Sequence, residues 1–185
     1  TAFGKYHKTY LIYKKYFTDY KAHAKILQYL GYIFWLQQNI KKSIIVLEQS
    51  LHMANKYCDK DIIPGRYTNL GYIYECSGDF EKAQFYYQQG LDFAKNNNSE
   101  EALKFAYDAM GRLFFGRELY QKAILYFEES IKLHHDNKHL DKVSVICNLA
   151  SSYMYTNKNE TAKQYFNQIN KKWIRDANPE LYYSI

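Results

Sequence analysis

LGYIYECSGDFEKAQFYY, residues 70–87, is the stretch on which the fold turns. Leu70-Gly71 is followed by an aromatic at Tyr74, a small residue at Ala83 and a second aromatic at Tyr87. The same pattern recurs as LGYIFWLQQNIKKSIIVL at 30–47, MGRLFFGRELYQKAILYF at 110–127 and LASSYMYTNKNETAKQYF at 149–166. The four segments align without gaps and start 40, 40 and 39 residues apart. Self-similarity at a fixed period of this size is the mark of a repeat architecture.

The spacing predicts two helices, A and B, in each unit. Gly31, Gly71, Gly111 and Ala150 fall in the middle of helix A. Glycine there costs about 1 kcal/mol against alanine, so its recurrence at one phase points to a close approach that only a small residue allows. Ser43, Ala83, Ala123 and Ala162 are the matching small residues expected on helix B. Phe34, Tyr74, Phe114 and Tyr153 are expected to fill the space between neighbouring units. One pair cannot bury its own apolar face, so the units must stack.

Capping signals place the boundaries. Asp79 reads as an N-cap with Gly78 closing the turn before it, and Glu100-Glu101 put acid on a helix N-terminus after Ser99. Asp61 with Pro64 marks a further start. The expected A helices cover about 20–36, 63–76, 100–115 and 138–155, and the B helices about 40–58, 80–96, 119–135 and 159–171. The whole of 1–185 reads as one all-α domain. It holds a partial repeat at 1–19, repeats at about 20–59, 60–98, 99–137 and 138–176, and a further helix start at 178–185. Residues 2–17 fall where helix B of a preceding unit belongs, and the chain begins at Thr1 without an initiator Met. It therefore reads as processed or as a piece of something longer. Apolar rows at Tyr10, Tyr13 and Phe17, or at Trp173 and Tyr182, are expected to be exposed and to invite self-association.

These residues resemble the tetratricopeptide repeat family, whose pattern is W-x2-L-G-x2-Y followed by A-x3-F. The resemblance covers about residues 24–175. It departs from the family at the Trp position, which is Leu27, Tyr67, Tyr107 and Ile146 here, and in lacking the closing Pro. The period near 40 instead of the usual 34 makes each helix about a turn longer. Long repeats of this kind are similar to those of bacterial peptide-pheromone receptors and other bacterial regulators, and of the kinesin light chain. The resemblance implies a right-handed α-solenoid of antiparallel helix pairs that binds a protein or peptide on an inner wall built from helix A.

Carried over by position, that wall would include Tyr29, Tyr32, Trp35, Asn69, Tyr72, Asp108, Arg112, Phe115, Asn148 and Ser151. In long-repeat relatives an Asn at the place of Asn69 and Asn148 holds the backbone of an extended peptide. An amide both donates and accepts, so it can pair with a peptide group whatever its side chain. Tyr29 and Ala109 occupy that place in the other two units. The resemblance implies that Arg112 and Asp108 select charge. The Lys and Asn clamp some members use for a C-terminal carboxylate is absent, because Gln28 and Tyr32 stand at its leading positions.

Composition narrows the alternatives. Hydrophobic residues make up 47%, and two prolines and eight glycines favour long helices over an all-β fold. The 21 tyrosines suit wet grooves and helix-packing surfaces, although a codon bias toward Lys, Asn, Ile and Tyr would also produce them. The net charge of +6 is spread over scattered Lys and Arg, with Lys14-Lys15 and Lys171-Lys172 the densest spots. Neither is a nucleic-acid arm, and mixed groove charge with a 40-residue period argues against an RNA-reading repeat. Cys58, Cys76 and Cys147 form no CxxC pair and fit buried thiols in a reducing compartment. No signal peptide or membrane-length apolar run is present, so a cytoplasmic location is expected.

No phosphate loop, H-E-x-x-H, EF-hand or G-x-S-x-G motif occurs. His134, His135 and His139 cluster near the end of a B helix, where the dipole favours them, and Glu128-Glu129 read as solvated. No cofactor, metal or catalytic set is expected. The expected function is a peptide- or protein-binding scaffold, the sensor or interaction part of a larger bacterial regulator. The competing class is a structural or oligomerising segment with no peptide ligand.

Overall fold

The computed structural model describes residues 4–5, 8, 11–12, 19–57, 60, 62–135 and 140–169. Tyr10, Tyr13, Phe17, Cys58, Asp61, His139, Trp173, Tyr182 and the helix start at 178–185 lie outside the described residues. So does most of the helix expected at 2–17, although residues 4, 5, 8, 11 and 12 are helical. Among the described residues there is no strand, and no helix is long and apolar enough to cross a membrane.

The chain forms two compact units, Thr1–Ala102 and Leu103–Ile185. The first holds α1 (Tyr20–Leu36), α2 (Ile40–Lys56), α3 (Ile63–Cys76) and α4 (Phe80–Asn96). The second is built on α5 (Glu100–Gly116, whose first turn crosses the boundary), α6 (Tyr120–Lys132), α7 (Leu140–Tyr155) and α8 (Asn159–Phe166). The helices match the expected A and B segments, except that α6 ends at Lys132 and α8 at Phe166.

In the first unit, Ser43 Oγ of α2 donates to the Gly31 carbonyl of α1 at 2.8 Å, and Ser50 Oγ donates to Ala24 at 2.6 Å. Contacts that run forward on one helix and backward on the other make the pair antiparallel. In the second unit Ser130 Oγ of α6 donates to the Lys104 carbonyl of α5 at 3.0 Å, the same contact 80 residues on from Ser50 and Ala24. Gly90 takes that place in α4, where an added Cβ would lie 3.1 Å from Tyr67 Cβ.

The helix-A glycines do permit close approach, but the group they admit is the large residue of helix B. A Cβ on Gly31 would lie 2.5 Å from Leu47, one on Gly71 2.5 Å from the Tyr87 ring, and one on Gly111 2.5 Å from the Phe127 ring. Leu47, Tyr87 and Phe127 are buried as knobs, each worth about 1.5–3 kcal/mol of apolar burial. The small residue one turn earlier lets the backbones close around the knob.

Helix A passes to helix B through one repeated turn. Asn39, Asp79, Leu119 and Lys158 donate backbone N–H to the carbonyls of Phe34, Tyr74, Phe114 and Tyr153 at 2.8, 3.0, 2.9 and 2.9 Å. This is a Schellman closure, which needs one left-handed residue. Gln38, Gly78, Glu118 and Asn157 supply it with φ of 59, 81, 60 and 60°. Asp79 caps α4 by accepting from Lys82 N at 3.1 Å, as expected. Asp19 and Asn39 cap α1 and α2 in the same way, at 3.0 and 3.2 Å.

Within each pair an aromatic of helix A stacks on one of helix B, and its hydroxyl, where it has one, reaches the preceding pair. Tyr74 stacks on Tyr86 at 5.3 Å, Phe114 on Tyr126 at 5.4 Å, and Tyr153 on Tyr165 at 5.6 Å. Lys42, Lys82 and Lys122 lie over the rings of Phe34, Tyr74 and Phe114. Tyr74 Oη donates to Glu48 on the preceding pair at 3.1 Å, and Tyr153 Oη to Glu128 at 2.5 Å. Burial, reinforced by the adjacent carboxylate, raises the pKa of both phenols. Glu128 is thus a hydrogen-bond acceptor for the next helix and not simply solvated. Exposed Glu129 pairs with Lys132 at 2.5 Å.

Candidate functional site

In the first unit α1 and α3 bring their predicted residues together. Gln28, Tyr29 and Tyr32 of α1 face Asn69, Tyr72 and Ile73 of α3 around a cleft of about 190 Å³, with Leu47 also lining it. Trp35, one turn beyond Tyr32, packs against Tyr32 at 5.2 Å and edge-on to Tyr72 at 5.4 Å. Tyr29, Tyr32 and Tyr72 are exposed, whereas Leu47 and Ile73 are buried beneath them. The half-buried Asn69 side-chain amide makes no hydrogen bond among the described residues. The cleft therefore offers an apolar floor, aromatic walls and an amide able to donate and accept.

Arg66 is a residue that motif reasoning passed over. It is 4% exposed and donates through Nη1 to Gln28 Oε1, linking α3 to α1 beside the cleft. Ile26, Ala106 and Val145 stand at the same phase in the other repeats. An arginine at an otherwise apolar position was the available signal.

In the second unit the predicted residues form a different surface. Arg112 Nε pairs with Asp108 Oδ2 at 3.1 Å within α5. Asp108 Oδ1 is buried without a hydrogen-bond partner among the described residues. Burial raises the Asp108 pKa, Arg112 counters it, and Asp141 adds to the rise. Arg112 thus faces solvent with its charge already shared. Phe115 lies edge-on to Tyr120 and Tyr155 at 5.4 and 5.8 Å, and those two rings stack at 4.5 Å. Asn148 and Ser151 are half-buried on α7, and the Asn148 carbonyl accepts from Ser152 Oγ at 2.7 Å.

The cysteines differ from expectation. Cys147 is half-buried, and burial pushes its pKa up. Cys76, in the last turn of α3, is exposed, because that turn carries its outer face to solvent. The His134 carbonyl accepts from Lys142 Nζ at 3.0 Å.

Residues 64–97 and 143–171 each match the tetratricopeptide repeat family. Two stretches of the chain thus carry the tetratricopeptide repeat. No curated protein matches it in sequence. Tetratricopeptide-type structures are similar to it along nearly its whole length. Apo RapI has a TM-score of 0.84 at 14% identity, over 98% of this chain and 50% of that one. BtubC (BKLC) from P. vanneervenii has 0.78 at 18% identity, over 96% and 74%. The Rap conjugation gene regulator of plasmid pLS20, solved in complex with the Phr* peptide, has 0.76 at 15% identity, over 96% and 48%. At these identities the likeness is one of fold: an all-α, tetratricopeptide-type solenoid of helix pairs. The chain spans about half the length of the two Rap proteins.

Proposed function

We propose that this tetratricopeptide repeat chain is a binding scaffold that takes an extended peptide or partner segment in the α1–α3 cleft. On this reading it is a cytoplasmic, non-catalytic sensor or interaction region of a larger bacterial regulatory protein. The observation that carries the proposal is the convergence on one cleft of Tyr29, Tyr32, Tyr72 and the Asn69 amide, which makes no hydrogen bond among the described residues. Rigid aromatics provide contact area at small entropic loss, and an amide pairs with any peptide group. That the pLS20 regulator was solved with a peptide, on the same fold, supports the class of ligand.

In the second unit Asn148, Ser151, Phe115 and the Asp108–Arg112 pair are proposed as further contact residues. Arg112 would favour an acidic ligand residue. The test is peptide-array screening followed by calorimetry on Asn69→Ala and Asn148→Ala. Loss of one amide pairing a buried peptide group is expected to cost about 1–3 kcal/mol of binding. Folded variants that bind as tightly as the parent would sink the amide contacts.

A second observation favours a structural role. Leu27, Leu30, Phe34, Ile45 and Val46 line an apolar cleft of about 200 Å³ on the first pair, and Ile45 is 54% exposed. Such a face suits stacking on a further repeat. If Ile45→Lys abolishes a concentration-dependent association seen by sedimentation, and no array peptide binds, the structural reading replaces the peptide one.

A further inference from the structure

The first-unit cleft has a polar end whose chemistry is set by a residue outside its lining. Arg66 is buried and donates through Nη1 to Gln28 Oε1, and Gln28 lines the cleft. A guanidinium has five donors and no acceptor. The Gln28 atom that faces it must therefore be the oxygen, and the amide nitrogen with its two N–H groups is turned away. Among the described residues that nitrogen has no hydrogen-bond partner. Ile26, Ala106 and Val145 fill the matching position in the other repeats, so an aliphatic side chain suffices for packing there. What an aliphatic residue cannot do is orient an amide.

We propose that Arg66 is a positioning residue that holds Gln28 as a hydrogen-bond donor to the cleft. Gln28 then selects a backbone carbonyl on an uncharged stretch of extended peptide. This rests on the peptide reading above. The seven lining residues include no charged side chain, and Leu47 and Ile73 form an apolar floor. A charged ligand group would lose its hydration there without a charged partner in the lining. The occupant is therefore an apolar residue flanked by peptide groups, with one carbonyl accepting from Gln28 Nε2 and another peptide group meeting Asn69.

The probe is an array of acetylated and amidated heptapeptides carrying Leu, Asp or Lys at the centre. The best binder is then measured by calorimetry against the parent, Gln28→Glu, Arg66→Met and Asn69→Ala. Gln28→Glu keeps an acceptor for Arg66 but replaces the donor with a second acceptor. It is expected to melt no lower than the parent and to bind tenfold or more weakly. Arg66→Met frees the amide to turn and is expected to weaken binding and blur the preference for the Leu peptides. If Asn69→Ala weakens binding but Gln28→Glu and Arg66→Met match the parent, the donor assignment is overturned and the cleft reading stands. A best binder with Asp at the centre also overturns it. If no peptide binds, the peptide reading falls and takes this inference with it.

Discussion

The two compact units share one internal plan and differ on the helix-A surface. In both, a buried helix-B knob lies against a helix-A glycine, Tyr87 on Gly71 in the first and Phe127 on Gly111 in the second. In both, a serine hydroxyl closes on a helix-A carbonyl 26 residues back, and a tyrosine reaches a glutamate on the preceding pair. The surfaces diverge. The first unit has an uncharged aromatic cleft with an amide that makes no hydrogen bond among the described residues, and the second has an Asp108–Arg112 pair and a Phe115–Tyr120–Tyr155 cluster. A stacked repeat must preserve whatever its neighbours pack against, whereas a solvent-facing row is released from that constraint. On the proposed reading, recognition belongs to the rows that differ.

If the interior is shared, removing the knob should hurt the two units alike. Tyr87→Ala and Phe127→Ala are each expected to cost about 3–5 kcal/mol in urea unfolding. A difference much larger than the error of the extrapolation would break the equivalence of the two cores.

Glycine position sharpens the same point. Gly71→Ala drives a Cβ to 2.5 Å from a ring whose hydroxyl is held by Glu75 at 2.8 Å. Overpacking of this kind is expected to cost about 1–3 kcal/mol. Gly65, six residues earlier on α3, has open space at its Cβ. Gly65→Ala is expected to gain up to about 1 kcal/mol from helix propensity. Thermal melts of the two variants should move in opposite directions.

The tyrosine–glutamate links should separate the units more finely. Tyr153→Phe is expected to lose about 1 kcal/mol. Tyr74→Phe should lose less, because Glu48 retains the Tyr86 hydroxyl at 3.4 Å. Equal losses in a denaturation series would show that the second phenol contributes nothing.

The smallest effect tests the charged surface. Burial raises the Asp108 pKa, so the folded chain holds that proton to higher pH than the unfolded chain does. Its contribution is fully present below the ordinary carboxylate range, near about pH 4, and is lost as pH rises through the folded value. Asp108→Asn removes this decline and forfeits a part-buried i, i+4 helix ion pair worth about 0.3–0.5 kcal/mol. It is expected to be slightly more stable than the parent at neutral pH, with the gain vanishing in acid. A pH-independent difference in urea midpoints would refute the burial effect.

Much of this molecule was legible in the sequence, because a repeat prints its packing four times over. The phase of Leu-Gly, the following aromatic and the small residue thirteen positions on sufficed to place eight helices to within a few residues. Turn chemistry was less legible. Gly78 and Asn157 announce a left-handed residue, while Gln38 and Glu118 adopt the same conformation because the Schellman closure around them demands it. The position of Asn69 among aromatics could be inferred from helical phase, since residues 29, 32, 69 and 72 share one face of two like helices.

What only tertiary structure decided is which side chains consume one another. Arg112 and Asp108 were both read as free to select charge, yet four residues apart on one helix they pair. Glu128 was read as solvated, yet Tyr153 from the next helix donates to it. Arg66 lies 38 residues from Gln28, and the bond that orients the amide depends on how one helix pair stacks on the next. Periodicity reports the face on which a residue stands; its partner depends on side-chain reach across an interface that no single helix contains.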